Sequence, residues 1–186
     1  MGQVQREAIA DVAWDLLSVE GESALTMRRI ASALGVSAPS LYKHVSDRGG
    51  IIALVQERTL VEGAAAMRRA INRAESNPAL GAALAYRRWA LRHPAQYLLT
   101  TARPLLRDRL PPDVEARAAD VVLRLADGDV ARARVMWATA HGLISLELAG
   151  RFPRDADLEA AWRAAFNEGP AVPAKGAGSS AQEPPQ

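Results

Sequence analysis

Apolar residues recur along this chain every three or four positions, in one stretch after another, with polar residues between them. Ile9, Val12, Ala13, Leu16 and Leu17 share one face of a first helix that ends at Gly21. Thr26 is a good N-cap. Met27, Ile30, Ala31 and Leu34 then form the stripe of a second helix, which Gly35 stops because glycine tolerates a left-handed backbone. Ser37 caps a short third helix, Ala38 to about Val45, with Pro39 in the first turn where a missing N–H costs little. Ser46-Asp47 opens a fourth helix that runs to about Arg73, with the Asp47 carboxylate favoured near its N-terminus.

Asn77-Pro78 marks a boundary. The same periodicity predicts helices from Ala79 to Arg92, Pro94 to Thr101, Asp113 to Leu125, Val130 to Ala149 and Asp155 to Asn167. His93-Pro94, the three prolines of 103–112 and the turn Asp127-Gly128-Asp129 separate them. From Gly169 onward the chain is Pro, Ala, Gly and Ser with little apolar bulk, and reads as a disordered tail. The expected fold is all-α, about nine helices without a convincing strand or repeat. The expected division is 1–62, 63–168 and the tail 169–186.

Composition narrows the class. Of 186 residues, 49% are hydrophobic, enough for a core, and 24% are charged. The absence of Cys fits a reducing cytoplasm. Met1 to Ala13 carries Glu7 and Asp11 with no apolar signal core, and no uncharged apolar stretch is long enough to span a membrane, so a membrane partner is not expected. The net charge is only +2, but it is unevenly distributed: residues 1–25 carry a net −4, residues 26–48 a net +3. Positive charge focused on one short segment is what a phosphate-facing surface requires.

That segment reads Thr-Met-Arg-Arg-Ile-Ala-Ser-Ala-Leu-Gly-Val-Ser-Ala-Pro-Ser-Leu-Tyr-Lys-His-Val over 26–45. Two short capped helices around a glycine turn form a helix-turn-helix. Ile30, Ala31, Leu34, Val36 and Leu41 dock the pair on the first helix. Ala38, Pro39, Ser40, Tyr42, Lys43 and His44 are left on the outward face, small residues first and polar or basic ones behind, as a helix entering a major groove needs. Taken alone, Tyr42 also reads as core packing with its hydroxyl at the surface, and His44 as an ordinary exposed residue.

Over residues 5–60 this pattern resembles the DNA-binding domain of the TetR (tetracycline-repressor) family. The likeness rests on Leu25-Thr26, Ile30-Ala31, Leu34-Gly35-Val36-Ser37, Leu41-Tyr42-x-His44 and Ser46-Asp47-Arg48 before Ile51-Ile52. The resemblance implies that Thr26, Ser37, Tyr42, His44 and Arg48 hold phosphates of double-stranded DNA, while Arg28, Ala38, Pro39, Ser40 and Lys43 face base edges. Two positions depart from the family. Val45 stands where Phe is common, and Gly49-Gly50 stands where helix formers are usual, at a cost of about 1–2 kcal/mol of helix stability. The glycine pair reads either as a frayed first turn or as a hinge.

In the second half, Tyr86-Arg-Arg-Trp89-Ala-Leu-Arg-His93-Pro94-Ala-Gln-Tyr97 and Trp137-Ala-Thr-Ala-His141-Gly142 resemble the Trp-His-Gly type of TetR C-terminal domain. The likeness implies a ligand pocket among helices and a homodimer formed by the last two helices. Small residues Ala138, Gly142, Ala149 and Gly150 suit close helix approach, although intramolecular packing has the same periodicity. Tyr86, Trp89, Tyr97, Trp137 and His141 are the candidate pocket residues. Trp137 and His141, at i and i+4, read equally as a core Trp stacked on a satisfied core His. No residue pattern points to a metal, another cofactor or an enzyme's nucleophile. The expectation is a cytoplasmic, sequence-specific regulator, a repressor relieved by a small, mostly apolar effector without strong charge. The alternative is a ligand-independent DNA binder controlled by a protein partner. One consequence concerns the tail: a chain ended at Glu168 is expected to keep its melting temperature within a few degrees, because 169–186 has too little apolar surface to offset its ordering entropy.

Overall fold

The computed structural model describes residues 6–73 and 76–167, and the expected tail lies outside them. Nine α-helices occur among the described residues, and the fold is all-α. They are α1 (Arg6–Glu20), α2 (Met27–Leu34), α3 (Ala38–Leu41), α4 (Arg48–Ile71), α5 (Pro78–Arg92), α6 (Pro94–Thr101), α7 (Val114–Leu125), α8 (Val130–Leu148) and α9 (Leu158–Phe166). Single 3-10 turns at Glu22–Ala24 and Arg107–Arg109 complete the path.

Side-chain caps set several boundaries. Thr26 accepts from the Arg29 N–H, Asp47 from Gly50, Asn77 from Leu80 and Asp157 from Ala160. Gly35 ends α2 in the left-handed region at φ 66°. Two local expectations need correction. Ser37 occupies the cap position of α3 in extended backbone, but its side chain caps no N–H. The Ser40 N–H that such a cap would engage donates to the Ser37 carbonyl at 3.0 Å, and the Ser37 hydroxyl instead lies 3.0 Å from that of Ser40. The third helix also stops at Leu41 rather than near Val45. The Leu41 carbonyl accepts from both His44 and Val45, which tightens Tyr42–His44 into a turn before the extended Asp47 cap of α4.

Helix α4 is the axis of the molecule. It packs on α1, α5, α6 and α7 and runs unbroken through residues 62–63. Its first turns continue the core of α1–α3, through Ile51, Ile52, Leu54 and Val55. Farther along, Arg58 lies 4.5 Å from the Trp14 ring and pairs with Asp11 of α1 and Glu62. Among the described residues no helix is long and apolar enough to cross a membrane.

Two buried glutamines join the halves. Gln56 on α4 donates to Pro104 C=O at 3.3 Å and accepts from Leu106 N–H at 3.0 Å. Gln96 on α6 donates to Trp14 C=O at 2.9 Å and to the Ser18 hydroxyl at 2.5 Å. Replacing Gln56 with leucine keeps the volume but strands the Pro104 and Leu106 groups. Gln56→Leu is therefore expected to lower unfolding free energy by about 1–3 kcal/mol, read as a shifted urea midpoint with unchanged slope.

Candidate nucleic-acid interface and effector cavity

The first three helices are held from beneath. Ile30, Ala31, Leu41 and Val45 are buried against Ile9, Ala13, Leu16 and Leu17, with Leu34 and Val36 partly buried beside them. Arg28, Pro39, Tyr42 and Lys43 consequently face outward, while Ala38, Ser40 and His44 are partly covered. Tyr42 is 56% exposed, which removes the core-packing reading of its ring. Arg28 and Lys43 make no ion pair among the described residues, whereas Arg29 is committed to Glu20. Arg48 is turned toward the protein. Its Nε donates to Leu25 C=O at 3.1 Å and its Nη2 to Glu22 at 2.8 Å. It braces the start of α4 against the 3-10 turn after α1.

A half-open cavity of about 520 Å³ lies between α4, α5, α7, α8 and the segment after α6. Its walls are apolar, with Leu60, Met67, Val122 and Met136 among them, and fall in the usual size range of small-molecule sites. Of the expected pocket residues, Tyr86 and Trp137 line it. Trp89, Tyr97 and His141 do not. Trp89 is buried beside it, stacked on Tyr86 at 6.0 Å and within 3.4 Å of Glu62. The Tyr97 hydroxyl lies 2.5 Å from His141 Nδ1, and the imidazole stacks at 5.3 Å on Trp137. Burial pushes Tyr97 up to about 12 and lowers His141, so both are neutral at physiological pH. Trp137, at 52% exposed, is not a core residue.

Charged groups also reach the cavity, against the expectation that none would. Arg103, Arg107 and Glu115 are in its lining. Arg107 and Glu115 satisfy each other through two hydrogen bonds of 2.8 and 2.7 Å. Arg103 donates through Nη2 to Glu22 of the N-terminal half. A few residues on, Arg109 pairs with Asp47 at 2.5 Å.

Residues 9–53 match the family model described as bacterial regulatory proteins of the tetR family, and residues 79–168 match a tetracyclin repressor-like C-terminal domain. An uncharacterized HTH-type transcriptional regulator of Mycobacterium tuberculosis, Rv0681, is 32% identical over 157 residues, spanning 80% of this chain and 72% of that protein. This chain belongs to the TetR family. It is therefore a DNA-binding transcriptional regulator of the helix-turn-helix type. The class C tetracycline repressor of Escherichia coli is 38% identical over 60 residues, 32% of this chain and 27% of its own length. The solved regulatory protein SCO4313 superposes with a TM-score of 0.69 at 28% identity, covering 87% of this chain and 92% of its own. A protein of unknown function from Rhodococcus sp. RHA1 shares the fold at TM-score 0.70 and 24% identity, over 87% and 91% of the two chains.

The two departures from the TetR pattern touch each other. A Cβ on Gly50 would lie 3.3 Å from that of Val45, and one on Gly49 would meet the Arg109 guanidinium and the Asp47 carboxylate, each at 3.0 Å. The glycines make room for a buried valine and an ion pair, a steric role that neither the frayed-turn nor the hinge reading contained. Sequence reasoning also passed over Gln56, Gln96, Arg103 and Arg109. The glutamines were visible as polar residues inside apolar runs, Leu54-Val55-Gln56 and Ala95-Gln96-Tyr97. The arginines carried no local signal.

Exposure makes Trp137 separable from the core. Trp137→Ala is expected to fold and melt near the parent protein, whereas Trp162→Ala, at a site 1% exposed, should cost about 3–5 kcal/mol. Thermal melts of the two variants side by side measure the contrast.

Proposed function

We propose that this TetR-family chain is a ligand-responsive repressor in the cytoplasm, acting as a homodimer on a near-palindromic operator. The observation that carries the reading is the placement of α4. Its first turn, at Arg48, lies directly after the helix-turn-helix, and its middle, Thr59 to Met67, lines the cavity. A molecule that prefers one position of α4 has a rigid path to the recognition surface, and weakens operator binding by no more than its differential affinity for the two positions. The alternative, control by a protein partner, is favoured by a sealed C-terminal core, and a cavity of this size weighs against it.

Support for the dimer comes from α8. Val135 and Leu146 are exposed, and Ala138 and Ala149 stand on the same side with Gly142 between them. An uncovered stripe of small and aliphatic residues on a long helix suits close approach by a second copy. Trp137, His141 and Gly142 on this helix carry the likeness to the Trp-His-Gly subgroup. Two recognition segments then address half-sites about one helical turn apart. In this reading Thr26, Ser37, Tyr42 and His44 position the phosphates, and Arg28, Ala38, Pro39, Ser40 and Lys43 read bases. Arg48 orients α4 through Nε and Nη2, which are already engaged, and has only Nη1 left to offer a phosphate.

Mobility-shift measurements over genomic fragments, at fixed salt and with competitor DNA, test the specificity; equal retention of all fragments would sink it. Tyr42→Ala is expected to weaken all sequences alike. Lys43→Ala is expected to relax base preference at one position by about 1–3 kcal/mol, measured by selection from a randomised operator library.

A further inference from the structure

The cavity has a polar corner at Arg103 that is incompletely bonded. Among the described residues, two buried side-chain polar atoms lack a hydrogen-bond partner, Thr59 Oγ1 and Arg103 Nε. Both residues line the cavity, and Thr59 is 4% exposed. A buried guanidinium N–H without an acceptor is costly in a folded protein and uncommon outside functional sites. Elsewhere the walls are largely aliphatic and aromatic, and the charges of Arg107 and Glu115 satisfy each other, which leaves Arg103 as the lining cation with an unsatisfied donor.

Arg103 is also a hinge between the two halves. Its Nη2 donates to Glu22 Oε2. The other oxygen of that carboxylate accepts from Arg48 Nη2 at 2.8 Å, and Arg48 in turn holds Leu25 C=O. The chain cavity–Arg103–Glu22–Arg48 ends at the first residue of α4 and just before the Thr26 cap of α2. Nε and Nη2 form the side-on fork by which a guanidinium grips a carboxylate with two parallel hydrogen bonds. Glu22 occupies only the Nη2 half of the fork.

We infer that the effector is a mostly apolar molecule carrying one carboxylate, and that this carboxylate takes the Nε–Nη2 fork of Arg103 and displaces Glu22. Displacement leaves Glu22 with Arg48 alone and frees the segment after α6 from the turn that precedes α2. Cavity occupancy thereby loosens the seat of the helix-turn-helix. This inference rests on the ligand-responsive reading above and adds the ligand's chemical class and the bond that transmits its presence.

Octanoate and octanol form a matched pair of probes, equal in carbon number and different in the terminal group, carboxylate in one and hydroxymethyl in the other. Titration of the full-length protein, followed by calorimetry and by fluorescence of the cavity-lining Trp137, is expected to show octanoate binding at least about tenfold tighter than octanol. Arg103→Lys keeps the charge but lacks the fork, and should erase most of that preference. Glu22→Gln removes the competitor's charge, and should tighten octanoate several-fold while leaving octanol unchanged. Equal binding of the two probes, no measurable octanoate binding, or a preference that survives in Arg103→Lys would overturn the inference. So would a Glu22→Gln variant with unaltered octanoate affinity. Failure here is distinct from failure of the regulator reading, which is decided by whether any DNA fragment is retained specifically. Where one is, saturating that fragment should weaken octanoate binding by the same factor that octanoate weakens the DNA.

Discussion

A primary amide buried on an otherwise apolar helix has to find a donor and an acceptor, and Gln56 finds both in the backbone of one short segment. Its bonds to Pro104 and Leu106 fix the path of the chain after α6 against α4. That segment carries no regular helix longer than a 3-10 turn, and its other side-chain ties, at Arg103, Arg107 and Arg109, are partly exposed ion pairs. Once it is pinned, Arg103 and Arg109 project toward the N-terminal half at two points, one at Glu22 and one at Asp47. The cavity, its polar corner and the contacts with the helix-turn-helix all follow from where this segment lies.

The links between the halves differ in kind. The bonds of Gln56 and Gln96 are buried, and breaking them strands groups away from water. The ion pairs of Arg103 and Arg109 are between one third and one half exposed, and pairs of that exposure contribute little net stability. A regulator needs this combination. The hard links keep α1, α4 and α6 as one body, while the soft ones lie within the reach of a modest differential binding energy. Gly49 belongs to the soft set, because any side chain there would crowd the Asp47–Arg109 pair.

What the sequence revealed depended on how local each cause was. Helix boundaries set by a cap within three residues, at Thr26, Asp47 and Asn77, were legible to within a residue or two, since cap and helix are adjacent in the chain. The helix-turn-helix was legible for the same reason. Ser37 was misread because its hydroxyl turns to the Ser40 hydroxyl rather than to a backbone N–H. The cavity was located only in part: Tyr86 and Trp137 line it, but so do Thr59 and Arg103, more than forty residues apart in the chain and without a local signal of lying on one cavity. The aromatic residues Trp89 and Tyr97 looked like pocket residues by composition and turned out to be its support. No periodicity separates a wall from the layer behind it.

The protonation states of these groups decide what kind of signal the linkage carries. The Arg109 hydrogen bond, with the Gly50 N–H, holds the Asp47 carboxyl below the usual carboxylate range. Burial pushes the Glu22 carboxyl up, but the Arg48 and Arg103 hydrogen bonds outweigh it and the net shift is downward. A carboxylate with a depressed folded-state pKa contributes its stabilisation at every pH above the unfolded value, and loses it only as pH falls through the folded one. Both pairs are therefore fully formed across the neutral range. His141, lowered by burial, stays uncharged there as well. Across the neutral range these shifts all favour the states already present, so the three groups do not make the linkage a sensor of neutral pH. In the reading proposed above, what opens it is a competitor for the Arg103 guanidinium, a residue that lines the cavity.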